Sequence, residues 1–364
     1  MSGVLSALKR PIRDALRHRA ERREQAQWSR AAWQVEREIE DVVGKGRTLV
    51  VGPWLSEVGF EALYWIPFLR WVKAAFRVDA ARVVAVSRGG VASWYEGIAG
   101  RYVEIWDDFD PAEFALRSAE RGTTKQLDLT GFDRDVIGAV ERRLGEPVDV
   151  LHPSLMYRLF TLFWSGQRPL SFLDAHTRYE PIAPPQIVEA SRLPREYVAV
   201  KFYAARSLPD TPDIRRMLAW LVDSLAERTN IVLLDTGLVL DEHADYAFGP
   251  TFAPCDAGGV RQGRVISAMS LMTPATNLGV QTQIIAGAQA FVGTCGSVAW
   301  LAPMLGINTS AVYVDPKMLH VHLGVALRAC HRAGTGRFAA LDLRALDPLA
   351  LDPLARGSSL LHDS

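Results

Sequence analysis

Cysteine is scarce in this chain: three residues among 364, Cys255, Cys295 and Cys330, widely spaced and odd in number. No CxxC pair occurs, which excludes a zinc ribbon and leaves no disulfide framework. A reducing cytoplasm is the expected compartment. Net charge is missing too: 41 Lys and Arg are balanced by 41 Asp and Glu. The basic excess of a general nucleic-acid binder is therefore absent, and no nucleic-acid partner is expected. Long apolar runs are also lacking. The stretch from Leu63 to Val72 is broken by Pro67 and Arg70, too short and too polar for a bilayer. No uninterrupted apolar segment follows the first basic residues, so a secretory signal is not expected. Neither GxGxxG after a first strand nor GxxxxGKS/T occurs. Dinucleotide dehydrogenase and P-loop readings lose their main support.

What is present is a substantial core: 49% of residues are hydrophobic and 23% charged, as in soluble globular proteins of one large or two medium domains. Arg47–Gly52, Ala81–Val86 and Tyr102–Trp106 read as buried strands, and Phe60–Phe76 as a helix. The pattern then weakens, with Leu151–Phe172 helical and then irregular. A second series begins at Tyr197–Phe202 and continues through Asn230–Asp235, Val265–Ser267, Ala290–Val292 and Ser310–Val314. Helices are expected from Thr211 to about Arg228 and over Gln281–Gln289. Asn277–Val280 reads as a short edge strand or a loop. The repeated Leu–Asp–Pro–Leu–Ala near the end carries no chemistry.

Strands alternating with helices predict an α/β chain with parallel sheets. The expected organisation is two Rossmann-like domains facing across a cleft, preceded by an N-terminal basic helical arm. The boundaries are 1–46 for the arm, 47–180 for the first domain, 181–194 for a Pro-rich linker, 195–340 for the second domain and 341–364 for a tail. In the arm, residues 1–30 hold eight basic against three acidic residues, a local charge of +5. Val4, Leu5, Leu8, Ile12 and Leu16 recur at helical spacing. Such a helix suits an anionic membrane surface or a solvated face packed on the domain.

The most informative stretch is Phe291–Gly306, FVGTCGSVAWLAPMLG. It predicts a strand, a small-residue turn at Thr294–Ser297, and a helix ending at Gly306. Such a junction aims backbone N–H groups and the positive helix end at one point, which suits a phosphate or diphosphate. The alternative is an ordinary βα junction in which Thr294 or Ser297 caps the helix.

The order of elements resembles GT-B glycosyltransferases. AQAFVGTCGSVAWLAPMLGINTSAVYVDP, with the upstream VAVKFYAARSLPD, VLLDTGLVLDEHAD and VQTQIIAGAQAF, is similar to bacterial surface-polysaccharide and heptosyltransferase-like enzymes over roughly residues 47–330. The resemblance implies an acceptor half, a nucleotide-sugar half and a catalytic cleft between them. Gly296, Ser297 and the Thr294 hydroxyl would meet the donor diphosphate. Lys201 and Arg206 would neutralise the leaving nucleoside diphosphate. Asp235 and His243, in a group with Asp241, Glu242 and Asp245, would contact the nucleoside or sugar. Their spacing is not that of a metal site, and no metal or cofactor beyond the nucleotide-sugar co-substrate is implied.

In the first half, Glu57 and Glu61 flank the start of a helix right after the first strand. A carboxylate in this loop serves as base in the enzymes resembled. Glu57 is thus the candidate catalytic base and Glu61 the second, although both could instead complement the helix N-terminus. Trp54 and Tyr64 offer sugar-stacking faces for the acceptor, or core packing. His152 and His176 are alternative bases. The implied activity is transfer of a sugar from a nucleotide-sugar to a glycan or lipid-linked acceptor in cell-surface polysaccharide synthesis. A nucleotide-sugar epimerase, a polysaccharide pyruvyl transferase and a non-catalytic GT-B-like binding protein are the alternatives.

Overall fold

Short runs of Val, Leu and Ala buried on both faces build the centre of each half, as parallel strands covered on two sides require. In the computed structural model, residues 2–189, 192–238, 245–246, 265–317, 319–334 and 336–345 are described, residues 2–21 by their backbone alone. The first sheet comprises β1 (Leu49–Val51), β2 (Val83–Ser87), β3 (Arg101–Glu104) and β4 (Asp149–Leu151), all parallel, in the order β3-β2-β1-β4. The second comprises β5 (Tyr197–Lys201), β6 (Asn230–Leu233), β7 (Val265–Ser267), β8 (Ala290–Thr294), β9 (Thr309–Tyr313) and β10 (Phe338–Asp342). Its order, β10-β9-β8-β5-β6-β7, is parallel throughout. Counted from β5, this is the doubly wound order 3-2-1-4-5-6. Strand order reverses between β5 and β8, and in the first sheet between β1 and β4. Such reversals open a crevice beyond the carboxyl ends of the strands.

The helices are α1 (Ser2–Val43), α2 (Val58–Phe60), α3 (Ile66–Ala75), α4 (Pro111–Glu120), α5 (Gly131–Leu144), α6 (Pro153–Trp164), α7 (Leu170–Ala175), α8 (Pro212–Ala226), α9 (Asn277–Ala286), α10 (Val298–Leu301) and α11 (His320–Ala333). A π turn at Glu61–Trp65 joins α2 to α3. Three expectations are corrected. Asn277–Val280 is the first turn of α9. Asp149–Leu151 is a strand, and β10 extends the second sheet beyond Tyr313 into the predicted tail. The predicted arm also ends differently: Ala32, Val35, Ile39 and Val43 are buried at spacings of three and four, so the end of α1 belongs to the core. Residues 22–31 are largely exposed. Among the described residues no helix is long and apolar enough to cross a membrane.

Successive strand residues point to opposite faces and sort into separate cores. Val50, Val84 and Val86 pack with Phe114 of α4 and Phe132 of α5. Val198 and Val200 pack with Leu218 and Val222 of α8. The opposite faces share one cluster, running from Ile39, Leu49 and Trp65 to Tyr197, Phe291 and Ala326. The two halves are thus joined by a common apolar core. Their backbones also meet, with Gly279 N donating to Gly89 O at 2.8 Å and Ile182 N to Met304 O at 3.0 Å.

Candidate active site

Four strand ends converge between the sheets. Beyond β1, Gly52 has φ +122°, and a Cβ there would lie 2.6 Å from Val86 O. Glycine is what lets the chain turn over β2 at this point. The following loop sets Glu57 at the start of α2, its Oε1 accepting from Thr124 Oγ1 at 2.6 Å. Beyond β2 comes Arg88, buried to 5% exposure. Its guanidinium donates to Trp54 O (3.1 Å) and Ser56 O (2.7 Å) and lies 4.9 Å over the Phe114 ring. At the end of β5, Lys201 Nζ donates to Leu234 O at 3.0 Å and stands 3.5 Å from Asp245 Oδ1. Burial pulls the Lys201 pKa below its ordinary value, and Asp245 opposes that pull. Asp245 is itself fixed, accepting from Thr236 N at 2.7 Å. Beyond β8, the turn passes through Gly296 (φ +132°) and Ser297 (φ +45°). The first-half loop lies directly on this turn: a Cβ on Gly59 would sit 2.7 Å from Ser297 N. A cavity of about 130 Å³ remains, lined by Glu57, Arg88, Lys201, Tyr203, Gln281 and Ser297, with Asp245 and Asn277 at its wall.

Of the predicted site residues, Glu57, Lys201 and Ser297 share this cleft. Ser297 occupies the N-cap position of α10 with no side-chain capping bond. Gly296 backs onto Tyr203, where a Cβ would lie 2.5 Å from the phenol oxygen. The Thr294 hydroxyl accepts from Tyr203 N at 2.9 Å and donates to Tyr203 O at 3.0 Å. It fastens the turn to the end of β5 and does not face a ligand. Arg206 is the exposed residue of a turn closed by paired 3.0 Å bonds between Ala205 and Leu208, outside the cleft lining. Asp235 accepts from Ser267 Oγ at 2.8 Å and also lies outside that lining. His243, with Asp241 and Glu242, falls outside the described residues.

The other candidates are buried. Glu61 has no exposed surface, and its Oε1 accepts from Ser87 Oγ and Tyr95 Oη, both at 2.6 Å. Burial raises its pKa from 4.5 to about 7. Enclosed and outside the cleft lining, this carboxyl has no route to an acceptor, so Glu61 is corrected from second base to core residue. Trp54 and Tyr64 are corrected likewise, because neither face is open to a sugar. Trp54 stacks on Trp65 at 5.7 Å and Tyr157 at 6.2 Å. Tyr64 bonds His322 Nδ1 at 2.6 Å. Burial lowers the His322 pKa to about 4 and keeps the ring neutral. His152 is held by Asp133 and Ser154, and His176 by Glu36 and Phe172 O.

Sequence reasoning missed Arg88 and Gln281. The signal for Arg88 was a cation inside Ser87–Arg88–Gly89–Gly90 at a strand's carboxyl end. Its glycines have φ +81° and +77° and let α9 approach. Gln281 lies in a helix that reads as mostly apolar. Among the described residues no group of three or more His, Cys, Asp or Glu side chains could hold a metal ion. A wider, open hollow of about 480 Å³ lies between Trp106–Glu113 and Thr273–Ala275. Its carboxylates are engaged: Asp107 and Asp108 with Arg143, Glu113 with Arg117, and Asp110 as the cap of α4.

No protein-family model and no curated protein matches the sequence. Among solved structures, a glycosyl transferase family 9 protein from Veillonella parvula overlaps 87% of this chain and 90% of its own at 11% identity, with a TM-score of 0.44. An Escherichia coli ADP-heptose LPS heptosyltransferase II overlaps 74% of this chain and 86% of its own at 14% identity, TM-score 0.39. A UDP-N-acetylglucosamine 2-epimerase overlaps 85% of this chain and 87% of its own at 11% identity, TM-score 0.35.

Proposed function

We propose that this chain is a glycosyltransferase that moves a sugar from a nucleotide-sugar to a glycan or lipid-linked acceptor in cell-surface polysaccharide synthesis. The observation that carries this reading is the convergence of both sheets' carboxyl ends on one cleft holding a carboxylate, Glu57, and two fixed cations, Arg88 and Lys201. Sugar transfer needs a base for the acceptor hydroxyl and positive charge already in place where the leaving diphosphate develops. Glu57, oriented by Thr124, takes the proton. Lys201, held by Asp245, and Arg88, held by two carbonyls, stabilise the diphosphate beside Ser297. No metal is called for, and the nucleotide-sugar is a co-substrate, not a resident cofactor. The cavity is smaller than the ~300–1,000 Å³ of ordinary ligand sites; it holds the diphosphate end and widens for the rest. The enzyme works in the cytoplasm, with its basic N-terminal segment against an anionic membrane surface.

The test begins with thermal shifts of the purified chain against UDP-, GDP-, ADP-, CMP- and dTDP-sugars, with NAD and ATP as controls. Stabilisation by one nucleotide-sugar family is expected, and a flat response to every sugar sinks the reading. Glu57→Gln should keep that stabilisation while transfer falls by about 10²–10⁴-fold. Unchanged turnover would remove Glu57 from the mechanism. Interconversion of the free nucleotide-sugar without any acceptor would make the protein an epimerase.

A further inference from the structure

Helix α9 carries polar side chains into an otherwise apolar interface. Asn277, Gln281 and Thr282 are 5%, 1% and 0% exposed. Helical spacing puts Asn277 and Gln281 one turn apart on one face, and both line the cleft. Buried polar atoms are ordinarily paired, so each atom can be accounted for in turn. Thr282 Oγ1 donates to Leu278 O at 2.6 Å and accepts from Trp94 Nε1 at 3.0 Å. Asn277 Nδ2 donates to Pro274 O at 2.7 Å. Gln281 Nε2 donates to Asn277 O at 3.2 Å. Gln281 Oε1 is buried and has no partner.

Turning the amide round does not relieve this. The Asn277 carbonyl can only accept, so the nitrogen of Gln281 must face it and the oxygen is the atom left over. The cleft's two cations already hold acceptors, Arg88 the carbonyls of Trp54 and Ser56, Lys201 that of Leu234 and the Asp245 carboxylate, and neither is bonded to Gln281. A lone acceptor repels phosphate oxygens and attracts hydroxyl groups. The cleft thus carries cations suited to the diphosphate and, just beneath its surface, an amide oxygen suited to a hydroxyl.

We infer that Gln281 Oε1 reads a sugar hydroxyl of the bound nucleotide-sugar and thereby helps select the donor. The inference rests on the nucleotide-sugar reading above. The hydroxyl belongs either to the transferred sugar or to the ribose, and the two sources separate by experiment. Full-length protein is titrated calorimetrically with UDP-glucose, GDP-mannose, ADP-glucose and dTDP-glucose, and with UDP, GDP, ADP and dTDP. Gln281→Leu, similar in volume but without the acceptor, should bind the preferred nucleotide-sugar about tenfold or more weakly. Unchanged affinity for the bare diphosphate assigns the hydroxyl to the transferred sugar, whereas an equal loss assigns it to the ribose. Ligand-free Gln281→Leu should melt no lower than wild type, because an unpaired acceptor has been removed. If Gln281→Leu binds every probe as wild type does, the inference is overturned and the transferase reading stands. If wild type binds none of the eight probes and no nucleotide-sugar of the thermal screen, the nucleotide-sugar reading falls and takes this inference with it. Should the variant not fold, single-deoxy analogues of the preferred donor, at sugar and ribose, put the same question to wild type. A tenfold loss at one hydroxyl is expected, and a flat series overturns the inference.

Discussion

Glu57 and Glu61 are the same residue type one helical turn apart, yet one borders the cleft and the other is sealed in the core. Two hydroxyls serve Glu61 Oε1, whereas Oε2 is buried without a partner. Burial accordingly favours the neutral acid, with a pKa of about 7 against an ordinary 4.5. The sign follows. Below about pH 4.5 folded and unfolded chains both hold the proton, and the stability of the fold is undiminished by this group. Between about pH 4.5 and 7 the unfolded chain releases it first, so stability falls as pH rises, by roughly 3 kcal/mol in all. Glu61→Gln keeps the acceptor oxygen and stays neutral. It should abolish this decline, leaving the variant the more stable protein at about pH 8 and nearly equal at about pH 5. Urea unfolding across that range checks it, and parallel curves for the two proteins would refute the account.

At the scale of elements, the turn after β8 works differently from its sequence-based expectation. α10 has only four residues before a 3-10 turn takes over and Gly306, at φ +87°, ends it. So short a helix contributes little axial charge, and the positive charge of the cleft falls to Arg88 and Lys201. What positions the turn is the close approach of Gly59. A Cβ there would lie 2.7 Å from Ser297 N, 3.1 Å from Ser297 Cα and 3.0 Å from Trp300 Cε3. Backbone atoms cannot yield cheaply, so Gly59→Ala should cost about 1–3 kcal/mol. It should also weaken donor binding by moving the first loop off the turn. Chemical denaturation with donor titration tests both, and wild-type stability would show the contact to be slack. The β-branched strands and this turn were legible because their apolar runs end in small residues. The inward polar groups were not. Arg88 sits in a glycine-rich stretch that reads as a flexible loop, and Gln281 in a helix buried on nearly every side. Nothing local distinguishes Glu57 from Glu61, whose fates are decided by which side of a π turn meets the core.

For the whole molecule, proline at 181, 184, 185 and 194 suggests a loose joint between two independent bodies, but the contacts show a fastened one. Arg70 donates to Glu180 O at 2.8 Å and Pro181 O at 3.2 Å, and Gln283 Oε1 accepts from Ile187 N at 2.6 Å and Val188 N at 2.8 Å. Beneath this segment the largest apolar cluster crosses from one half to the other without a break. Halves that move freely ordinarily meet through smaller and more polar surfaces. Separating these would strip Phe60 and Tyr64 of the first half from Trp300 and His322 of the second, so neither half should unfold alone. Calorimetry should therefore give one endotherm, its measured enthalpy equal to the van't Hoff value, and a bound nucleotide-sugar should raise the whole transition. Two endotherms, only one of them ligand-sensitive, would show that the halves are independent folding units. A single endotherm means that the two halves unfold as one unit, because the apolar cluster they share cannot be kept by either half alone.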